Sequence, residues 1–148
     1  MSDWSSYAAQ RVKRQRENNG LKNSRASQDA RLLAEYAPGR WEELRRVFLE
    51  MCSQFNAEPE MREALAYDNS NPQALKIENT HTKMTLRITF DPEHSEIKIG
   101  GLSGPTATAA PYKIALVPGQ RETYFTDGSN SVAAHEIARK ALDSLLGI

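Results

Sequence analysis

The residues best suited to bind a metal are three histidines and one cysteine, His81, His94, His135 and Cys52. Structural zinc sites usually contain close pairs of ligands, such as C-x2-C or H-x3-H. No two of these four residues stand at such a spacing. The sequence therefore predicts no metal site and no bound cofactor.

Cys52 also has the chemistry of a nucleophile. It falls on the apolar stripe of a predicted helix, beside Phe48 and Phe55. A thiol among apolar side chains behaves as a small hydrophobic group, because burial disfavours the thiolate. We expect Cys52 to have a structural role.

Ser103 lies in the string Gly101-Leu-Ser103-Gly104, which partly matches the G-x-S-x-G nucleophile elbow. Pro105 stands where the last glycine belongs, and a long loop follows instead of the helix that the elbow requires. The same missing helix weakens a phosphate-binding interpretation of the glycines. No catalytic residue is predicted, and Ser103 is kept only as a candidate contact in the small-residue loop 100–111.

The strongest functional signal is a basic, polar arm, residues 1–27. Six basic residues lie between Arg11 and Arg25 against one acid, Glu17, and they are Arg11, Lys13, Arg14, Arg16, Lys22 and Arg25. This arm is expected to be flexible or conditionally helical, and its clustered cations can neutralise phosphates, so Arg11, Lys13, Arg14 and Arg16 are candidate nucleic-acid contacts. Trp4 and Tyr7 are candidate anchors for a protein partner, because aromatic residues supply much of the energy of interfaces.

The composition limits the classes of protein. The 148 residues suit one domain, and the 19 basic and 19 acidic residues balance, so no uniform field draws the whole chain to nucleic acid or lipid. No run of apolar residues is long enough to span a membrane, and none follows a basic start as in a signal peptide. The single cysteine favours a reducing compartment, and we expect a cytoplasmic protein.

Helical periodicity marks three segments that could position these residues. Residues 28–37 carry Leu32, Leu33 and Tyr36 at helical spacing, and Pro38–Gly39 is expected to end that helix. A second helix follows, and its apolar stripe comprises Trp41, Leu44, Val47, Phe48, Met51, Cys52 and Phe55. The last helix is expected after Ser129 or Ser131 as its cap, with Gly147 just beyond its end.

Between these helices the hydrophobic period changes to two. Alternation at 75–78, 84–90, 97–99 and 112–117 predicts strands, residues 122–126 can add another, and 60–67 reads as a short helical segment. The turn at 91–95 predicts a hairpin. The sequence thus predicts an α+β domain, residues 28–148, with two N-terminal helices, a four- to five-stranded antiparallel sheet and a C-terminal helix packed on one face of the sheet.

These observations favour a non-catalytic interaction module that contacts a protein partner or a second copy of itself. One alternative is nucleic-acid binding through the basic arm. A further alternative is an enzyme or small-ligand pocket near the 100–111 loop. No membrane partner is expected.

Overall fold

The computed structural model describes residues 2–101, 111–118 and 120–148, apart from the side chains at 2, 3, 19 and 21–24. The chain divides into two units, Met1–Leu32 and Leu33–Ile148, and each is described by itself. The elements in chain order are α1 (Ser2–Asn56), β1 (Leu65–Asp68), β2 (Ala74–Asn79), β3 (Thr85–Asp91), β4 (Glu96–Gly101), β5 (Tyr112–Leu116), β6 (Thr123–Thr126), β7 (Ser131–Val132) and α2 (Ala134–Leu146).

The sheet is a meander in which each strand pairs antiparallel with the next one along the chain. The α+β class is confirmed, and the predicted hairpin is β3–β4, where Ile88 faces Ile99. The strand count is seven instead of four to five. The additional strands are β7, which has two residues, and β1, which buries only Leu65. Neither is long enough to show a period of two, and β1 replaces part of the short helical segment expected at 60–67.

Helix α1 runs through Pro38, so the break expected at Pro38–Gly39 does not occur. A proline inside a helix removes the hydrogen bond to the carbonyl four residues earlier, which here belongs to Ala34. Ala34 and Pro38 are both exposed, so water can serve that carbonyl. Ala37 and Trp41, which neighbour Ala34 and Pro38 on the same side of the helix, are buried, and their packing outweighs the local preference for a break.

The core of the 33–148 unit lies between the inner face of the sheet and the two helix faces that cover it. Its fully buried large side chains are Trp41, Leu44, Phe48, Leu65, Leu75, Ile77, Ile88, Ile97 and Ile137. The indole of Trp41 stacks on Phe90 with ring centroids 5.8 Å apart, and its N–H donates to the Pro72 carbonyl at 2.8 Å. The apolar stripe of α1 and the inward-facing residues of the strands are therefore buried in the same core.

The two ends of helix α2 differ in how well they match the sequence prediction. The serine cap expected at its start is wrong, and the glycine expected at its end is confirmed. Its N-cap is Ala133, whose side chain makes no capping hydrogen bond, since Ser131 belongs to β7. Gly147 ends the helix in the left-handed conformation with φ 74°, as predicted for a glycine cap. The buried side chain of Asn79 donates to the Leu145 carbonyl at 3.2 Å and joins the end of α2 to the end of β2.

In the part of the chain that the structure describes, no helix combines the length and the apolar character needed to cross a membrane.

We predict that Trp41 dominates the stability of this unit. Trp41→Ala removes the stacked ring and the indole hydrogen bond, and we expect it to lower the free energy of unfolding by about 3–5 kcal/mol. Trp41→Phe keeps a stacked ring and should cost less. Urea unfolding followed by circular dichroism measures both, and Arg46→Ala on the exposed side of α1 is the control, expected within about 0.5 kcal/mol of the wild type. Equal effects of Trp41→Ala and Arg46→Ala would contradict the assignment.

Candidate functional site

The aromatic residues selected from the sequence lie on α1 within the 1–32 unit, which we call the N-terminal segment. The side chains of Trp4 and Tyr7 are 75% and 58% exposed, and Val12 is exposed as well. The guanidinium of Arg11 lies over the ring of Tyr7, 5.7 Å from its centroid, at the four-residue spacing that brings side chains together on a helix. Large aromatic side chains with this much exposed surface are typical of contact sites.

The predicted basic contacts also lie on this helix. Arg11, Lys13, Arg14 and Arg16 are all exposed, and none of them forms an ion pair with another described residue. The helical period of 3.6 residues distributes the four around the axis instead of along one stripe. The N-terminal segment therefore presents positive charge on several sides.

Ser103 and most of the 100–111 loop lie outside the described residues. Gly100, Gly101 and Pro111 are described. Gly101 ends β4, and a Cβ added there would lie 3.5 Å from the Thr85 carbonyl oxygen, at ordinary van der Waals distance.

The carboxylates of Asp91 and Glu93 and the ring of His94 bring one ligand atom each to within 4.8 Å of one another in the β3–β4 turn. The Asp91 carboxylate already serves the turn. One of its oxygens accepts from the backbone N–H groups of Glu93 and His94 at 3.0 and 3.3 Å, and the other lies 2.8 Å from Nδ1 of His94. These bonds make Asp91 a turn-stabilising residue.

A groove of about 670 Å³ lies between the start of the buried part of α1, β6 and the start of α2. At its edge Arg40 donates from Nε to Thr123 Oγ1 at 3.2 Å and from Nη1 to the Glu43 carboxylate at 2.7 Å, and Nη2 lies 3.8 Å from the Glu122 carboxylate. His135 also lines this groove. The guanidinium has its partners within the fold, so it fastens α1 to β6. No sequence signal connected Arg40 with Thr123, because they are far apart in the chain.

A second groove, of about 760 Å³, lies beside β1. The side-chain amide of Asn56 both donates to the Leu65 carbonyl and accepts from the Leu65 N–H, each at 2.9 Å, as a neighbouring strand would. Thr80, Arg62 and Glu63 complete the lining together with Ala66. Asn56 thus occupies part of the free edge of the sheet, which is a common protection of edge strands against unwanted pairing.

Cys52 is fully buried in the core, and burial raises the pKa of its thiol to about 11. The position on the apolar face of α1 is the one predicted from the spacing.

Comparison with known protein families, with curated proteins and with solved structures finds no match to this chain.

The Asp91–His94 pair should be visible in a titration. The hydrogen bond and the charge of Asp91 raise the pKa of His94 above its ordinary value. Because the histidine pKa is raised in the folded state, the pair contributes its stability below the unfolded-state pKa and loses it as the pH rises through the folded-state pKa. We expect Asp91→Asn to lower the pKa of His94 in an NMR titration, while Glu93→Gln changes it less. An unchanged pKa in Asp91→Asn would refute the pair.

Proposed function

We propose that this protein is a non-catalytic interaction module whose contact element is the N-terminal segment. The observation that carries the proposal is the exposure of Trp4 and Tyr7, at three-residue spacing on one helix. Polar helices gain most of their stability from packing against other elements, and exposed aromatic rings add apolar surface that association would bury. A contact through this segment would therefore bury its aromatic side chains and stabilise its helix at the same time.

The occupant that the composition favours is a second copy of the chain. The N-terminal segment holds seven basic and three acidic residues, whereas 33–148 holds twelve basic and sixteen acidic residues. The two units carry opposite net charge although the whole chain is neutral. Attraction between unlike surfaces of two copies raises the rate of encounter and favours one orientation.

We predict that the full chain self-associates and that its aromatic residues supply much of the affinity. Trp4→Ala combined with Tyr7→Ala should weaken self-association about 10- to 100-fold, in the range of hot-spot residues. Sedimentation velocity over a concentration series measures the dissociation constant. The matched control, Trp4→Phe with Tyr7→Phe, keeps two aromatic rings and should retain most of the affinity. A single-chain mass at every concentration up to the solubility limit would end this proposal.

The second candidate function is nucleic-acid binding, favoured by the exposed cations at Arg11, Lys13, Arg14 and Arg16. Lysine and arginine side chains of this kind contact the phosphates of the nucleic acid and not its bases. Such binding therefore does not depend on the nucleotide sequence. Each phosphate contact releases counterions, so the affinity should fall steeply as salt is added.

Fluorescence anisotropy with labelled mixed-sequence DNA and RNA tests this candidate. We expect a log–log salt slope of about −0.9 for each phosphate contact on duplex DNA, and a shallower slope after Ala replaces the four cations. The control replaces four exposed cations of the 33–148 unit with Ala, namely Lys76, Arg87, Arg139 and Lys140. No binding at low salt would exclude the candidate.

A further inference from the structure

Three parts of the 33–148 unit meet at one end of the sheet, which we call the acidic end: the connection 57–66, the β2–β3 turn 79–84 and the end of α2, 143–148. Thr80 joins the first two, since its N–H donates to the Ala64 carbonyl at 3.0 Å and its hydroxyl to the Glu63 carbonyl at 2.9 Å. Asn79 joins the turn to α2 through the Leu145 carbonyl. The acidic end is therefore a surface held together by hydrogen bonds.

Negative charge is concentrated at this end. Glu58, Glu60 and Glu63 are exposed, and the last turn of α2 contains no basic residue to offset the partial negative charge of its carbonyls. The bases at this end are Arg62 and Lys83. The three parts together hold four acids, with Asp143 as the fourth, against these two bases, which accounts for two of the four net negative charges of 33–148.

The acidic end also carries exposed apolar side chains. Met61, Met84 and Ile148, one in each of the three parts, are all exposed, and the groove of about 760 Å³ beside β1 has Leu65 in its lining. Methionine is flexible and polarizable, so it adapts to the shape of an aromatic or aliphatic side chain. A surface with methionines and acidic side chains suits a basic helix with aromatic anchors.

A partner strand suits this surface less well than a helix. The outward-facing backbone groups of Leu65 already bond the Asn56 side chain, so the short edge of β1 offers few groups to an added strand. Asp68 at the end of β1 adds a charge that further discourages pairing with another edge.

The chain itself contains a segment with the complementary chemistry. Among the described residues, the large apolar side chains exposed outside 57–148 are Trp4, Tyr7 and Val12, and they share the N-terminal segment with the basic residues. We propose that the acidic end binds the N-terminal segment of a second copy, with the methionines against the aromatic rings and the glutamates facing Arg11 and Arg14, which share a helical face with Trp4 and Tyr7. This inference rests on the proposed function and adds the docking surface and the partner.

A charge exchange in the full chain tests the contact. The first variant, Glu58→Lys with Glu60→Lys and Glu63→Lys, reverses the acidic end, and the second, Arg11→Glu with Arg14→Glu and Arg16→Glu, reverses the segment. We expect each variant alone to associate at least 10-fold more weakly than the wild type by sedimentation velocity. An equimolar mixture of the two should regain association, because each reversed surface then meets an oppositely charged surface on the other variant.

Two further variants separate charge from folding. Glu60 and Glu63 have positive φ, and lysine and glutamate meet the same steric cost in this conformation because both carry a Cβ. The free energy of unfolding measured with urea should therefore change little in the first variant. Glu93→Lys makes the same charge change in the turn at the opposite end of the sheet and should leave association unchanged. Met61→Ala with Met84→Ala leaves the charges in place and should still weaken association several-fold.

The outcomes distinguish this inference from the proposed function. Dissociation by Trp4→Ala with Tyr7→Ala, but normal association of the Glu58, Glu60 and Glu63 variant, would leave the proposed function standing and overturn the docking surface. A wild-type chain that stays monomeric would overturn both. A mixture that fails to regain association, with both variants folded, would also overturn the pairing of these two surfaces.

Discussion

Trp41 lies where α1 crosses the sheet, stacked on Phe90 and bonded to the Pro72 carbonyl, and the arrangement of the 33–148 unit depends on this contact. The Trp41 ring packs on Phe90 of β3, and its N–H bonds the loop that leads into β2. Arg45 reinforces the same loop by donating to the Asn69 carbonyl at 2.6 Å. The part of α1 that carries Trp41 and Arg45 therefore contacts both the core and this loop, and the helix continues through Pro38.

The face of the sheet that points away from the core, its open face, bears exposed and half-buried side chains on the described strands β2 to β4. The open face carries alternating Thr, Lys, Arg and Glu side chains, and the β3–β4 turn satisfies its own polar groups through Asp91. The acidic end differs because exposed methionines accompany its charge. The whole chain is neutral, but 1–32 has a net positive charge and 33–148 a net negative charge. This separation of charge is the reason why we favour contact between two copies.

Much of the fold could be read from local patterns. The periodicity of α1 and α2 and the alternation of β2 to β6 each reflect one buried face, so Leu75, Ile88 and Phe48 were identifiable as core residues. The strands β1 and β7 were not identifiable, because each is too short to show an alternation of apolar and polar residues. Each pairs with its neighbouring strand through backbone hydrogen bonds, which leave no pattern in the sequence. The Arg40–Thr123 contact was likewise hidden, because no local pattern relates residues that only the fold brings together.

The sequence by itself determined the α+β class, the basic composition of the N-terminal segment and the buried position of Cys52. These properties follow from composition and periodicity, which act over a few residues. Only the tertiary structure decided that α1 passes Pro38 without a break and that Thr80 and Leu145 bring three separate pieces of chain to one acidic end. Packing energy and long-range hydrogen bonds decide such features, and they depend on which surfaces meet and not on the order of residues along the chain.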